Sequence, residues 1–111
     1  MNEWVQELPA EITVCDDQGT ILELNACAAE LFLTEGGIDL LGTNMLDCHP
    51  EPSRSKLAGM LEQPVANAYF STEKGEKRFF FQSPWYQDGK YAGFIEISFP
   101  VPEQIPHFKR G

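Results

Sequence analysis

The sequence predicts an α+β fold, an antiparallel sheet with short helices packed on one of its faces. Three observations lead there. Hydrophobic alternation with period two occupies both ends of the chain, at residues 11–24 and again at 66–99. Short stretches with helical spacing fill the middle. Three-residue Gly-containing turns at 17–19, 74–76 and 87–89 separate successive strands, so chain neighbours pair antiparallel. Strands grouped at the two ends, with helices between them, place the helices together on one side of the sheet.

Each element has a local reason. In residues 1–9, Trp4, Val5 and Leu8 share one face of a short helix that Pro9 ends. A helix this short is unstable alone and must dock, on its own domain or on a second copy. Residues 11–16 alternate Ile12 and Val14 with Thr13 and Cys15, and 20–24 follow across the turn as the second strand of a hairpin. Asn25 ends that strand and caps a helix over 26–33, with Ala28, Leu31 and Phe32 at i, i+3 and i+4. Glu35-Gly36-Gly37 breaks it, and residues 39–42 and 44–49 read as single turns. His49-Pro50-Glu51-Pro52 is a stiff connector, with Pro52 suited to the first turn of a helix over 53–62 that buries Leu57, Met60 and Leu61. Pro64 stops it. Strands follow at 66–73, 77–86 and 90–99, and Pro84 marks an edge or a bulge in the second of these. The organisation is an N-terminal helical segment (1–9), a domain (10–100) and an extended, Pro-containing tail (101–111).

A length of 111 residues suits one domain, and 42% hydrophobic and 12% aromatic content is enough for one core. The net charge of −9 repels phosphate backbones, and the bases form no stripe, so nucleic-acid binding is disfavoured. The start Met-Asn-Glu-Trp reads as no signal peptide, and no run approaches the ~20 apolar residues of a membrane span. Three cysteines at 15, 27 and 48, without a CxxC pair, suit reduced thiols and a cytoplasmic location.

The element order and certain residues together resemble the PAS domain family. Ile12, Asp16, Gly19 and Ile21, followed by Asn25, Ala26 and the Leu31-Phe32 pair, are similar to the opening of PAS domains. Asp88 to Ile97 is similar to their last hairpin. Leu41-Gly42, the run Asp47-Cys48-His49-Pro50-Glu51-Pro52-Ser53 and the final Ile105-Pro106-His107-Phe108 resemble a group of small, stand-alone bacterial PAS proteins. The resemblance covers about residues 8–100. It implies a five-stranded antiparallel sheet curved around a cavity that the short helices close. In that family the cavity holds haem, flavin, a small metabolite or nothing, and the output is a change in dimer contacts. The implied role is a sensor in signal transduction.

The chemistry-bearing residues do not converge. Cys48 and His49 are both potential metal ligands, and either would serve as an axial haem ligand. Adjacent residues point in different directions, however, and the plainer reading makes Cys48 a small packed group and His49 a backbone partner. Light-sensing PAS relatives carry their reactive cysteine in an Asn-Cys-Arg-Phe-Leu-Gln run. Here Leu46-Asp47-Cys48-His49-Pro50 lacks the Arg and Gln, which argues against a covalent flavin. The sequence thus names no cofactor. Nor does it show a nucleophile elbow, HExxH or P-loop, so no enzymatic activity is expected. Asp16-Asp17 lies at a turn, where Asp serves the backbone.

The aromatic strand Phe79-Phe80-Phe81-Gln82-Ser83-Pro84-Trp85-Tyr86 is the richest feature. Side chains alternate across a sheet, so three consecutive Phe cannot all face inward. Phe32, Leu46, Met60, Tyr69, Phe81 and Ile95 are the expected lining of a pocket for a small apolar or aromatic ligand, with His49 and Gln82 as its polar contacts. Phe80, Trp4, Val5, Leu8 and Phe108 are the expected cover of the outer face in a homodimer that acts on a downstream signalling partner. An interaction adaptor with a filled core is the alternative.

Overall fold

The computed structural model describes residues 2–111, and of Cys48 the backbone. Helix α1 (Glu3–Gln6) precedes β1 (Glu11–Asp16), β2 (Ile21–Leu24) and α2 (Ala26–Leu31). Three 3-10 turns follow, Leu33–Glu35, Gly37–Leu40 and Met45–Cys48, and then α3 (Ser53–Glu62), β3 (Asn67–Glu73), β4 (Glu76–Gln87) and β5 (Lys90–Pro100). The strands form one antiparallel sheet in the order β2-β1-β5-β4-β3. The chain's first and last strands therefore meet at the centre, from Glu11 opposite Ser98 to Asp16 opposite Gly93.

Two side-chain clamps shape the N-terminal half. The Asp16 carboxylate accepts from the backbone N–H groups of Gln18 and Thr20, both at 2.9 Å, closing the first hairpin turn. Asn25 is fully buried and satisfied on both sides of its amide. Its Oδ1 accepts from the N–H of Ala28, capping α2, and from the N–H of Ile12. Its Nδ2 donates to the carbonyls of Val5 and Ala10 at 2.9 and 2.8 Å, which ties the segment after α1 to the start of β1. At the other end of β1, Gly93 permits a close strand approach. A Cβ there would fall 2.0 Å from the Cys15 carbonyl oxygen, an oxygen that also accepts from Trp85 Nε1 at 2.9 Å.

The register assigns the faces. Glu11, Ser98, Phe80 and Tyr69 run side by side across four strands, and Thr13, Glu96, Gln82 and Asn67 form the next row on the same face. The helices lie over this face. The opposite face carries Ile12, Ile97, Phe81 and Ala68 in one row and Phe99, Phe79 and Phe70 in another. The buried apolar side chains are Cys15 and Phe94 on the sheet and a cluster of Ile21, Leu24, Ala28 and Leu40, with Ala29, Phe32 and Met45 against that cluster. Helix α3 has no buried residue and packs mainly on the turn Met45–Cys48, standing off the sheet.

Several expectations are adjusted. α1 is a single turn, because Pro9 and the Asn25 clamp hold residues 7–10 out of helical conformation. α2 ends at Leu31 and continues as a 3-10 turn. Leu57, Met60 and Leu61 are half-buried rather than buried. Pro84 combines both expected settings: β3 pairs with β4 only as far as Gln82, so Pro84 sits beside an open edge, next to an irregularity in register at Trp85/Tyr86.

Candidate functional site

Because α3 stands off the sheet, a cavity of about 800 Å³ lies between them. Its walls and roof are apolar: Ile21, Leu24, Phe32, Leu40, Met45, Leu57, Met60, Leu61 and Phe94. Its floor is the second row of the sheet's inner face, Thr13, Glu96, Gln82 and Asn67, together with Tyr69. Glu35, His49, Ser53 and Lys56 are exposed and form its rim.

The floor belongs to a hydrogen-bonded network anchored on Glu11, which is fully buried. Thr13 Oγ1 and Ser98 Oγ each donate to its carboxyl at 2.6 Å. Arg78 Nε donates to Ser98 Oγ at 2.9 Å, and its Nη2 to the Ser98 carbonyl at 3.3 Å. Gln82 Nε2 donates to Glu96 Oε2 at 2.7 Å. Burial, followed by the charge of Glu96, raises the pKa of Glu11 from its ordinary 4.5 to about 8, against the opposing pull of its bonds from Ser98 and Thr13. Glu11 therefore carries a proton at neutral pH, and a bond between it and Glu96 favours that state further. Burial and the charges of Glu96 and Glu11 likewise push the Tyr69 phenol up, while its ring stacks on Phe80 at 5.1 Å between centroids. Burial raises the Cys15 thiol, so it stays protonated as a packed group.

Of the residues picked from sequence for the pocket, the structure brings Phe32, His49, Met60, Tyr69 and Gln82 to the cavity, and Ile95 borders it although its register parity is that of Ile97 on the opposite face. Leu46 lies in the neighbouring 3-10 turn, outside the lining. Phe81 is on the opposite face of the sheet, and Phe80, expected on the outer face, is on the cavity side against Tyr69. Phe80 and Phe81 thus face the reverse of the expected ways, while Gln82 is on the expected side. Trp4 and Phe108 are strongly exposed and cover nothing, whereas Val5 and Leu8 are half-buried. His49 donates from Nδ1 to the Met45 carbonyl at 2.7 Å. The expectation for the Cys48 thiol falls outside the described residues. Among the described residues no three potential ligands gather for a metal.

The sequence reading missed Glu11, Thr13, Arg78, Glu96 and Ser98. They alternate within β1, β4 and β5, and a polar residue at an alternate strand position ordinarily faces solvent. The available signal was in β4, where Phe80 on one parity and Phe79, Phe81 and Trp85 on the other leave neither a solvent face by composition.

No protein-family model matches the chain, and no curated protein matches it in sequence. Solved structures do match. The PAS domain of BvgS from Bordetella pertussis superposes with a TM-score of 0.68 over 90% of this chain and 82% of that one, at 17% identity. The Aer2 receptor of Vibrio cholerae, a dual PAS-heme oxygen sensor, gives 0.66 over 84% and 95% at 12% identity. A sensory box sensor histidine kinase from Vibrio cholerae gives 0.65 over 92% and 89% at 16% identity.

Proposed function

From the PAS-type fold that the chain shares with these sensor domains, we propose that it is a sensory, signal-transduction module that binds a small molecule between its sheet and α3. The reading is carried by one observation, the large cavity with an apolar roof left by α3 over an ordered polar floor. A filled-core adaptor would have packed this space. The module assigns itself no reaction: it is a receptor whose occupancy changes contacts with a second copy and, through them, with a downstream signalling protein. No helix among the described residues is long and apolar enough to cross a membrane, and the proposed setting is the cytoplasm.

The proposed homodimer uses the outer sheet face. Phe70 is 52% exposed, Phe81 38% and Phe99 37%, and together with half-buried Phe79 they form an aromatic patch that water covers in the monomer. Trp4 of the N-terminal segment is the further apolar group available to such an interface.

Haem is the alternative. The Nδ1 bond of His49 leaves Nε2 for iron. The rest of the lining suits a porphyrin poorly, since two propionates need cations. Lys56 is the permanent cation of the lining, set against Glu35 and Glu96. A flavin phosphate meets the same obstacle. Native mass spectrometry of the purified protein, followed by thermal shift across a metabolite panel, tests the main reading. A retained or stabilising small molecule is expected. Neither retention nor any shift would favour the adaptor, and a Soret band after haem reconstitution would favour the haem sensor.

A further inference from the structure

The polar floor has a direction. Thr13 spends its hydroxyl proton on Glu11, and Gln82 spends one of its two N–H groups on Glu96. What Thr13 presents to the cavity is its lone pairs. What Gln82 presents is mainly its carbonyl. A carboxylate has about four acceptor sites, and Glu96 uses part of them on Gln82 and on the Glu11 proton. The centre of the floor is therefore rich in acceptors and carries a negative charge, with Tyr69 beside it able to give or accept. The guanidinium of Arg78 is committed to Ser98 and lies outside the lining, and Lys56, which belongs to the lining, is exposed at the rim on α3.

We propose that the cavity selects a small molecule with a protonated amine or comparable N–H-rich cationic head on an apolar body, the head resting on Glu96 with Gln82 and Thr13. The body meets Phe32, Leu57, Met60 and Leu61 above. Charge-assisted bonds from the head satisfy acceptors that an apolar ligand would leave dry, which costs about 1–3 kcal/mol for each buried polar group left unpaired. A carboxylate of the same shape would bring its charge against Glu96 and meet lone pairs where it needs donors. The inference rests on the cavity being a ligand site, and it replaces a purely apolar ligand by one with a defined polar end.

The test separates the two claims. Isothermal titration and thermal shift on the full chain would use matched probes with aryl, cyclohexyl and branched-alkyl bodies, each as primary amine, alcohol and carboxylate. The amine of at least one body is expected to bind at least tenfold more tightly than its alcohol, and the carboxylate to bind least. Glu96→Gln is expected to weaken the amine at least tenfold and to remove most of its advantage over the alcohol, with a retained cooperative unfolding transition showing that the variant keeps its fold. If alcohol or carboxylate bound as well as amine, or the preference survived in Glu96→Gln, charge selection would be overturned and the ligand cavity would stand. If no probe bound the folded wild type, both would fall.

Discussion

Replacing Glu11 with Gln tests the buried network directly. In the folded chain the carboxyl of Glu11 titrates at about 8, whereas in the unfolded chain it titrates near the ordinary 4.5. Between these values the folded state holds a proton that the unfolded state releases. The unfolded state then binds fewer protons, so the Glu11 contribution to stability falls as pH rises through that window and levels off above it. Each pH unit is worth about 1.4 kcal/mol, so the full window amounts to on the order of 5 kcal/mol, comparable with the roughly 5–15 kcal/mol of a whole domain. Gln at this position has nearly the shape of the protonated acid. It accepts from Ser98 or Thr13 through its carbonyl and presents N–H groups to the other hydroxyl and to Glu96. The assay is urea unfolding of wild type and variant from about pH 5 to about pH 9. The two are expected to be close in stability at the acid end, with the variant gaining steadily as pH rises. A stability difference that is constant with pH, or that favours the wild type increasingly toward alkaline pH, would refute a neutral buried Glu11. Glu96→Gln provides a second check, because it removes the charge that raises Glu11 and should shorten the pH window over which wild-type stability declines.

Three further outcomes follow from the geometry. Asn25→Ala removes two donated and two accepted bonds from a fully buried site and is expected to cost about 3–5 kcal/mol in unfolding free energy, whereas Asn25→Asp retains the acceptor for Ile12 and Ala28 and should still be destabilised, because it sets a carboxylate oxygen against the Val5 and Ala10 carbonyls. Gly93→Ala forces a Cβ onto the Cys15 carbonyl and should lower thermal stability sharply, while Gly89→Ala, with open space around it and only a positive φ of 77° to resist, should cost about 1 kcal/mol. Phe81→Asp on the outer sheet face is expected to shift sedimentation toward monomer with near wild-type unfolding, and a wild type that is monomeric at high concentration would remove the proposed dimer.

Much of the fold was legible because its signals are local. Asn25 announces a cap, Gly19 and Gly89 announce turns, and Pro64 announces the end of a helix, and all sit where the structure needs them. The resemblance implied a five-stranded antiparallel sheet, but the strand order was not legible, since the pairing of β1 with β5 joins residues 77 to 87 positions apart and no local pattern records it. The parity of β4 was illegible for a related reason. Period two states that Phe80 and Phe81 face opposite ways, but not which of them faces the helices. That choice is fixed by the partner strand, where Ser98 and its bond to Glu11 hold Phe80 inward.

The same inversion explains why the candidate site was half seen. The apolar roof could be read from Phe32 and Met60, because helical spacing points such residues at a sheet. The floor could not, because an acid at an alternate strand position is ordinarily a solvent-facing acid. Glu11 and Glu96 escape that rule together: one carries the proton and the other the charge, and Ser98, Thr13 and Gln82 supply the bonds that make the arrangement tolerable under α3. A core built only for stability would have placed aliphatic side chains in these rows, as the outer face does with Ile12 and Ile97. A buried carboxyl beneath a half-buried carboxylate that lines the cavity costs stability, and the pair serves a purpose when something with matching donors enters.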